Sequence, residues 1–139
     1  MKFAVTSTAA LLLAFVTVCE AIECQDPTPF EGDWVKDKYK SKECVALVKE
    51  KCGIDGFTTK RWVRGDKVSQ LCDEGQIHKW TAIATFMGED DGYEGHAAIF
   101  ESCTPDGISV YDQNVTHRVG RRYFRFGGYG DLFYTIKIQ

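Results

Sequence analysis

The pattern of apolar positions divides the chain into segments of different character. Phe3 to Val18 is apolar apart from Thr and Ser, and follows the basic Lys2. Cys19 and Ala21 put small residues where signal peptidase needs them, before a cut after Ala21. The run is short for a spanning helix, and no later stretch is long enough to cross a bilayer. Residues 1–21 are therefore expected to be a secretory signal peptide, and 22–139 a single domain.

From 22 to 40 the chain is irregular, broken by Pro27, Pro29 and Gly32, with Trp34 and Val35 available to pack it down. Between Glu43 and Cys52 apolar residues fall at 44, 47, 48 and 52, which predicts a helix of about three turns. Ser41 is placed to cap it and Gly53 to end it. Glu43 in the first turn and Lys49 and Lys51 in the last complement its dipole. Residues 54–79 carry few regular signals. Arg61-Trp62-Val63 before Gly65-Asp66 suggests a packed turn or a second short helix.

After Lys79 the period changes to two. Trp80 to Met87 alternates Thr81, Ile83, Thr85 against Ala82, Ala84, Phe86, which predicts a strand. Gly88 to Gly95 is an acidic, glycine-rich loop. A second strand follows over Gly95 to Glu101, then the turn Thr104-Pro105-Asp106-Gly107, then a third strand over Ile108 to Gln113. Residues 118–126 and 132–138 make two more. The expected fold is α+β, one helix packed on an antiparallel meander of about five strands.

Composition adds constraints. Hydrophobic residues at 44% and charged residues at 27% suit a folded soluble domain. Seventeen basic against 20 acidic residues give a net charge of −3, which argues against nucleic acid as a partner. Secretion makes the six cysteines informative. Cys19 leaves with the signal, and Cys24, Cys44, Cys52, Cys72 and Cys103 are an odd number in an oxidising compartment. One thiol is then free or paired between chains, and the others make two disulfides with three possible connectivities. No Cys-x-x-Cys pair exists and the three histidines are scattered, so zinc is not expected. Glu89-Asp90-Asp91 lacks the ligand spacing of a calcium loop and reads as a solvated loop. No cofactor motif is present.

Cys44 is the strongest candidate for the free thiol. At a helix N-terminus the dipole and the open backbone N–H groups lower a thiol's pKa and can receive an oxyanion. Cys52 has no such help, and the other cysteines lie in irregular segments or a turn. A thiolate nucleophile needs a base. His78 lies in a loop and His117 begins a basic strand. His96 starts a strand, which holds its ring rigidly, and two alanines after it leave room for another element. The partner strand carries Tyr111-Asp112-Gln113-Asn114. A polar side chain there orients the imidazole as the third member of a Cys–His–polar triad. One register presents Asp112 and Asn114 to His96, and a one-residue slip presents Gln113.

Four ordered motifs carry a resemblance over about Phe30 to the C-terminus. They are Glu43-Cys44-Val45-Ala46-Leu47-Val48-Lys49, Thr81 to Phe86, Gly95-His96-Ala97-Ala98-Ile99-Phe100 and Val110-Tyr111-Asp112-Gln113. Together they resemble the second family of type VI secretion amidase effectors. These belong to the papain-like cell-wall hydrolases that include the NlpC/P60 and CHAP domains. The signal peptide and extra cysteines make the chain most similar to the domesticated amidase effectors that ticks acquired by horizontal transfer. The resemblance implies a papain-like fold and an antibacterial enzyme of innate immunity. It also implies hydrolysis of D-amino-acid-containing peptide bonds in peptidoglycan stems and crosslinks. Bacterial relatives cut the D-Ala to diaminopimelate crosslink. Cys44 matches the nucleophile, His96 the base and Asp112 the orienter. A monomer acting on peptidoglycan peptide stems is expected, with no cofactor and with neither nucleic acid nor membrane as partner.

The bacterial motif usually continues from Asp-Gln with Trp. Here Asn114-Val115-Thr116 follows, a glycosylation sequon. Arg118, Arg121, Arg122 and Arg125 cluster positive charge that suits either steering toward anionic walls or the solvated face of a strand. Two other readings compete with the amidase. One is a catalytically inactive, disulfide-stapled secreted binding protein recognising cell wall or a host target. The other is an acyltransferase or deamidase on the same architecture. Retention of both Cys44 and His96 favours the enzyme over the inactive binder.

Overall fold

The computed structural model describes residues 4, 9, 10 and 21–139. Most of the segment expected to be a signal peptide, Cys19 included, lies outside the described residues. The elements in chain order are α1 (Cys44–Lys51), β1 (Trp62–Lys67), α2 (Val68–Glu74), β2 (Ala82–Thr85), β3 (Ala97–Thr104), β4 (Gly107–Asn114), β5 (His117–Arg125) and β6 (Phe133–Ile138). All strands join one antiparallel sheet of order β1-β6-β2-β3-β4-β5. The mixed α and β class agrees with the sequence reading, and β2 to β5 form four strands of the meander it predicts. The last strand, β6, returns to pair with β1 and β2 instead of extending the meander beyond β5. None of the described helices is long and apolar enough to cross a membrane.

Two elements differ from expectation. Trp62–Lys67 is a strand, not a packed turn or helix, and a second helix follows it. Neither has a periodic apolar pattern, because Trp62 is the one buried side chain of β1 and Val68 the one buried side chain of α2. β1 exists because β6 supplies its hydrogen bonds. Gly65 lets the strands close: a Cβ there would lie 2.2 Å from Thr135 Oγ1. Thr135 Oγ1 in turn accepts the Asp66 N–H at 3.0 Å.

Strand alternation divides the core between the two helices. On one face Ala82, Ala84, Ala97, Ile99 and Tyr111 pack with Leu47 and Val48 of α1. On the other, Ile83, Ala98, Phe100, Ile108, Val110 and Phe133 pack with Val68 of α2. The alanines facing α1 are what let a helix approach the sheet closely, as the small residues after His96 suggest.

Disulfides tie both helices down. Cys24–Cys52 joins the N-terminal segment to the end of α1, and Cys72–Cys103 joins α2 to β3. Cys44 is the one free cysteine among the described residues. Replacing Cys72 and Cys103 together by serine should cost about 2–4 kcal/mol, the usual worth of such a crosslink. Denaturant unfolding measures this, and Cys44 should remain the single thiol alkylated without reductant.

Candidate active site

α1 starts abruptly. Glu43, its N-cap residue, is extended at ψ 169, and no side chain caps the helix. Ser41, expected to cap it, instead accepts the Glu43 N–H through Oγ at 3.3 Å. The start is fixed from β4. Gln113, fully buried, accepts the Val35 N–H at 2.8 Å and donates to the Val35 carbonyl at 2.7 Å. It also donates to the Glu43 carbonyl at 3.1 Å. The residue immediately before Cys44 is therefore bonded to β4.

His96 is fixed as firmly. Gly95 takes φ +111, and a Cβ there would lie 2.4 Å from both Met87 Cε and Thr85 Oγ1. Thr85 Oγ1 donates to the Glu94 carbonyl at 2.6 Å and accepts the His96 N–H at 2.9 Å. The imidazole Nε2 lies 2.6 Å from Asp112 Oδ2. That leaves Nδ1 for the thiol. Asp112 thus stands where the first of the two registers puts it. Gln113 faces the opposite side of the strand, toward α1, as alternation requires. His78 does not join this group; its backbone carbonyl accepts from Thr81 Oγ1 at 2.7 Å.

Burial pushes the Cys44 thiol's pKa up. Hydrogen bonds to His96 and Tyr93, the imidazolium charge and the Ala97 N–H outweigh that, so the net value lies below the ordinary 9.0. Burial likewise lowers the pKa of His96, and bonding to Asp112 and Cys44 outweighs it, raising the value from 6.5 to about 9. The two shifts favour the thiolate–imidazolium form of the pair over the neutral one. Tyr93 O lies 3.6 Å from Cys44 Sγ. Burial and the thiolate's charge hold its phenol well above its usual pKa, so its O–H donates to the sulfur. Tyr93 was not legible as a site residue. It lies in the acidic loop read as solvated, where the one signal is an aromatic among Gly and acidic residues. Trp62 braces it at 5.0 Å, and Asp91 of the same loop pairs with Arg64 at 3.0 Å.

Cys44 and His96 line an open cavity of about 460 Å³, bordered also by Tyr93, Thr59, Asn114 and Val115. Asn114, the sequon residue, shapes its rim. Its Oδ1 accepts from Thr116 N at 2.8 Å, Thr116 Oγ1 at 2.8 Å and His117 N at 2.9 Å, closing the β4–β5 turn. Trp34 Nε1 donates to the Asn114 carbonyl at 2.9 Å from outside. The arginine cluster is largely engaged. Arg118 stacks on Trp34 at 4.7 Å, Arg121 pairs with Glu101 at 2.9 Å and Arg122 with Asp112 at 2.9 Å.

A family model described as Domesticated amidase effector 2 matches residues 13–136. The chain is 52% identical to Domesticated amidase effector 2 of Ixodes scapularis over 145 residues, spanning 99% of this chain and 100% of that one. Among solved structures, Type 6 secretion amidase effector 2 (Tae2) has the same fold at TM-score 0.59. That similarity covers 76% of this chain and 88% of the other at 22% sequence identity.

Two outcomes follow from the geometry. In His96→Ala, alkylation of Cys44 near pH 7 should slow about tenfold or more, because the counter-charge that holds the thiolate is lost. In Gln113→Ala, the orphaned Val35 and Glu43 groups should cost about 1–3 kcal/mol each. Thermal unfolding should therefore show a larger loss for Gln113→Ala than for Asp112→Asn, which keeps a polar partner for His96.

Proposed function

Because the chain belongs to the domesticated amidase effector 2 family, we propose that it is a secreted cysteine amidase. It hydrolyses peptide bonds in the stems or crosslinks of bacterial peptidoglycan, with an antibacterial outcome, and works as a monomer on a papain-like plan. The observation that carries this reading is one cavity that holds Cys44 at a helix N-terminus, paired with His96, with Asp112 behind it. The name of the Ixodes scapularis relative supports amide hydrolysis. Two disulfides and the signal-like segment 1–21 support secretion.

The chemistry follows from the pair. Cys44 Sγ attacks the carbonyl carbon of the scissile amide, and the C–O π electrons move onto oxygen. The open N–H groups of the first turn of α1 receive that oxyanion. His96 gives its proton to the departing nitrogen as the C–N bond breaks, leaving a thioester on Cys44 and a free amine. His96, now neutral, takes a proton from water. The hydroxide adds to the thioester and expels the thiolate, restoring the ion pair. Asp112 keeps the ring aimed throughout. Tyr93 donates to the resting thiolate and lines the same cavity.

The test is mass spectrometry of muropeptides from purified cell walls. Wild-type protein should release new amine and carboxyl ends, and Cys44→Ala should release none. Its thermal transition should stay nearly unchanged, since alanine is a good helix former. Hydrolysis retained by that variant would end the nucleophile assignment. Products with a new acyl acceptor would instead indicate acyl transfer. The rate should fall on the acid side as the thiolate is protonated. It should fall again as pH rises through about 9, where His96 loses the proton that the leaving amine needs.

A further inference from the structure

A nucleophile, a base and one orienter do not account for everything around Asp112. Its carboxylate is buried, and only Oδ2 faces His96. Oδ1 lies 2.9 Å from Arg122 Nε and 3.2 Å from His117 Nε2. Arg122 Nε is also 2.9 Å from His117 Nε2. Its N–H donates to His117 Nε2, while the guanidinium charge lies against Oδ1. With Nε2 as the acceptor, His117 holds Arg122 beside the carboxylate.

The hairpin is built to bring these groups together. Asp112 lies opposite Gly120, so no side chain occupies the position directly across from it. Arg122, two residues further along β5, reaches it diagonally. A bulge between Asp112 and Asn114 shifts the register so that His117 pairs with Asn114. Such irregularities re-aim side chains, and this one leaves His117 close to the carboxylate. The arrangement answers a physical need. A buried carboxylate bonded on one oxygen alone tends to take up a proton or turn away, and either outcome removes its effect on His96.

We propose that His117 and Arg122 are positioning residues that hold Asp112 fixed through Oδ1, Arg122 directly and His117 by way of Arg122, so that its Oδ2 keeps His96 protonated and aimed at Cys44. This rests on the cysteine amidase reading, but its test needs no substrate. Asp112 is faced by His96 from the start of β3 and by His117 and Arg122 from β5, while Cys44 and Tyr93 lie beyond His96. Loss of either β5 group should therefore travel through Asp112 and His96 and appear as a weaker thiolate at Cys44.

The experiment measures iodoacetamide alkylation of Cys44 against pH in the oxidised protein, whose other described cysteines are in disulfides. His117→Leu and Arg122→Met should each move the midpoint upward by about one unit, which is about tenfold slower labelling below the midpoint. His117→Gln, which returns an acceptor for Arg122, should recover most of the shift. Asp112→Asn should shift the midpoint at least as far, and adding His117→Leu to it should shift it no further. Unchanged midpoints in folded single variants, or full additivity with Asp112→Asn, would overturn the proposal. Arg122→Gln is the substitute where Arg122→Met does not fold, because the outer guanidinium is part exposed and tolerates a polar replacement. With peptidoglycan as substrate, kcat should fall in step with the labelling and KM should hold. If wild-type protein cleaves no wall yet the labelling shifts appear, the amidase reading fails and the positioning role stands.

Discussion

Two adjacent, fully buried polar residues on β4 determine where Cys44 and His96 can be. Neighbours on an extended strand face opposite sides, so Asp112 and Gln113 cannot serve the same partner. Each must still be bonded, because an unpaired polar group with no water costs more than most single contacts contribute. Gln113 finds its partners in Val35 and in the carbonyl of Glu43, which brings the first turn of α1 against the sheet. Asp112 finds His96. The strand backbone between them thus sets the relation of Cys44 to His96, with far less freedom than two loops would leave.

Such a site sets burial against charge. A thiol and an imidazole sheltered from water both favour their neutral forms, and burial alone would separate neither charge. What reverses the balance is local and specific: the ring on the sulfur, the Tyr93 hydroxyl, the Ala97 N–H and the Asp112 carboxylate. Small side chains are part of the same solution. Ala82, Ala84 and Ala97 let α1 lie close to the sheet, so the sulfur can meet a backbone N–H at the start of β3. Larger residues there would lift the helix and separate the pair.

The sequence was legible where periodicity is produced by burial on one or two faces. α1, β2, β3, β4 and β6 carry such patterns, because each lies against a helix or between two layers. β1 and α2 do not, since each buries one side chain and is held mainly by backbone pairing or a disulfide. The site divides in the same way. Cys44 and His96 follow from local context: a helix start, and a strand entry followed by alanines. The choice between Asp112 and Gln113 needed register, which depends on a turn and a bulge rather than on residue type. Arg122 was visible as one of four clustered arginines, but its partner lies across the hairpin. Tyr93 was hidden for another reason, because a loop's composition describes its solvated majority and not the one side chain that turns inward. The pairing of Cys24 with Cys52 and of Cys72 with Cys103 required three-dimensional proximity that spacing does not contain.

The place of Cys44 at the start of a helix of eight residues raises a problem of its own, since so short a helix is not stable alone. Fraying of its first turn would displace Cys44 from its place beside His96 and Tyr93. The fold holds α1 at both ends. At the start, Gln113 ties the Glu43 carbonyl to β4. At the finish, Cys52 is bonded to Cys24, and the Gln25 N–H donates to the Lys51 carbonyl at 2.7 Å. That N-terminal segment is itself anchored to the sheet, with the Cys24 N–H on the Trp80 carbonyl at 2.8 Å and Glu23 bridged to Thr81. Between the two anchors, Leu47 and Val48 are buried against the alanines of β2 and β3. The Cys24–Cys52 disulfide therefore does more than restrict the unfolded chain. It closes the far end of the element whose near end carries Cys44, and so couples the durability of a small domain to the geometry of the cavity that Cys44 lines.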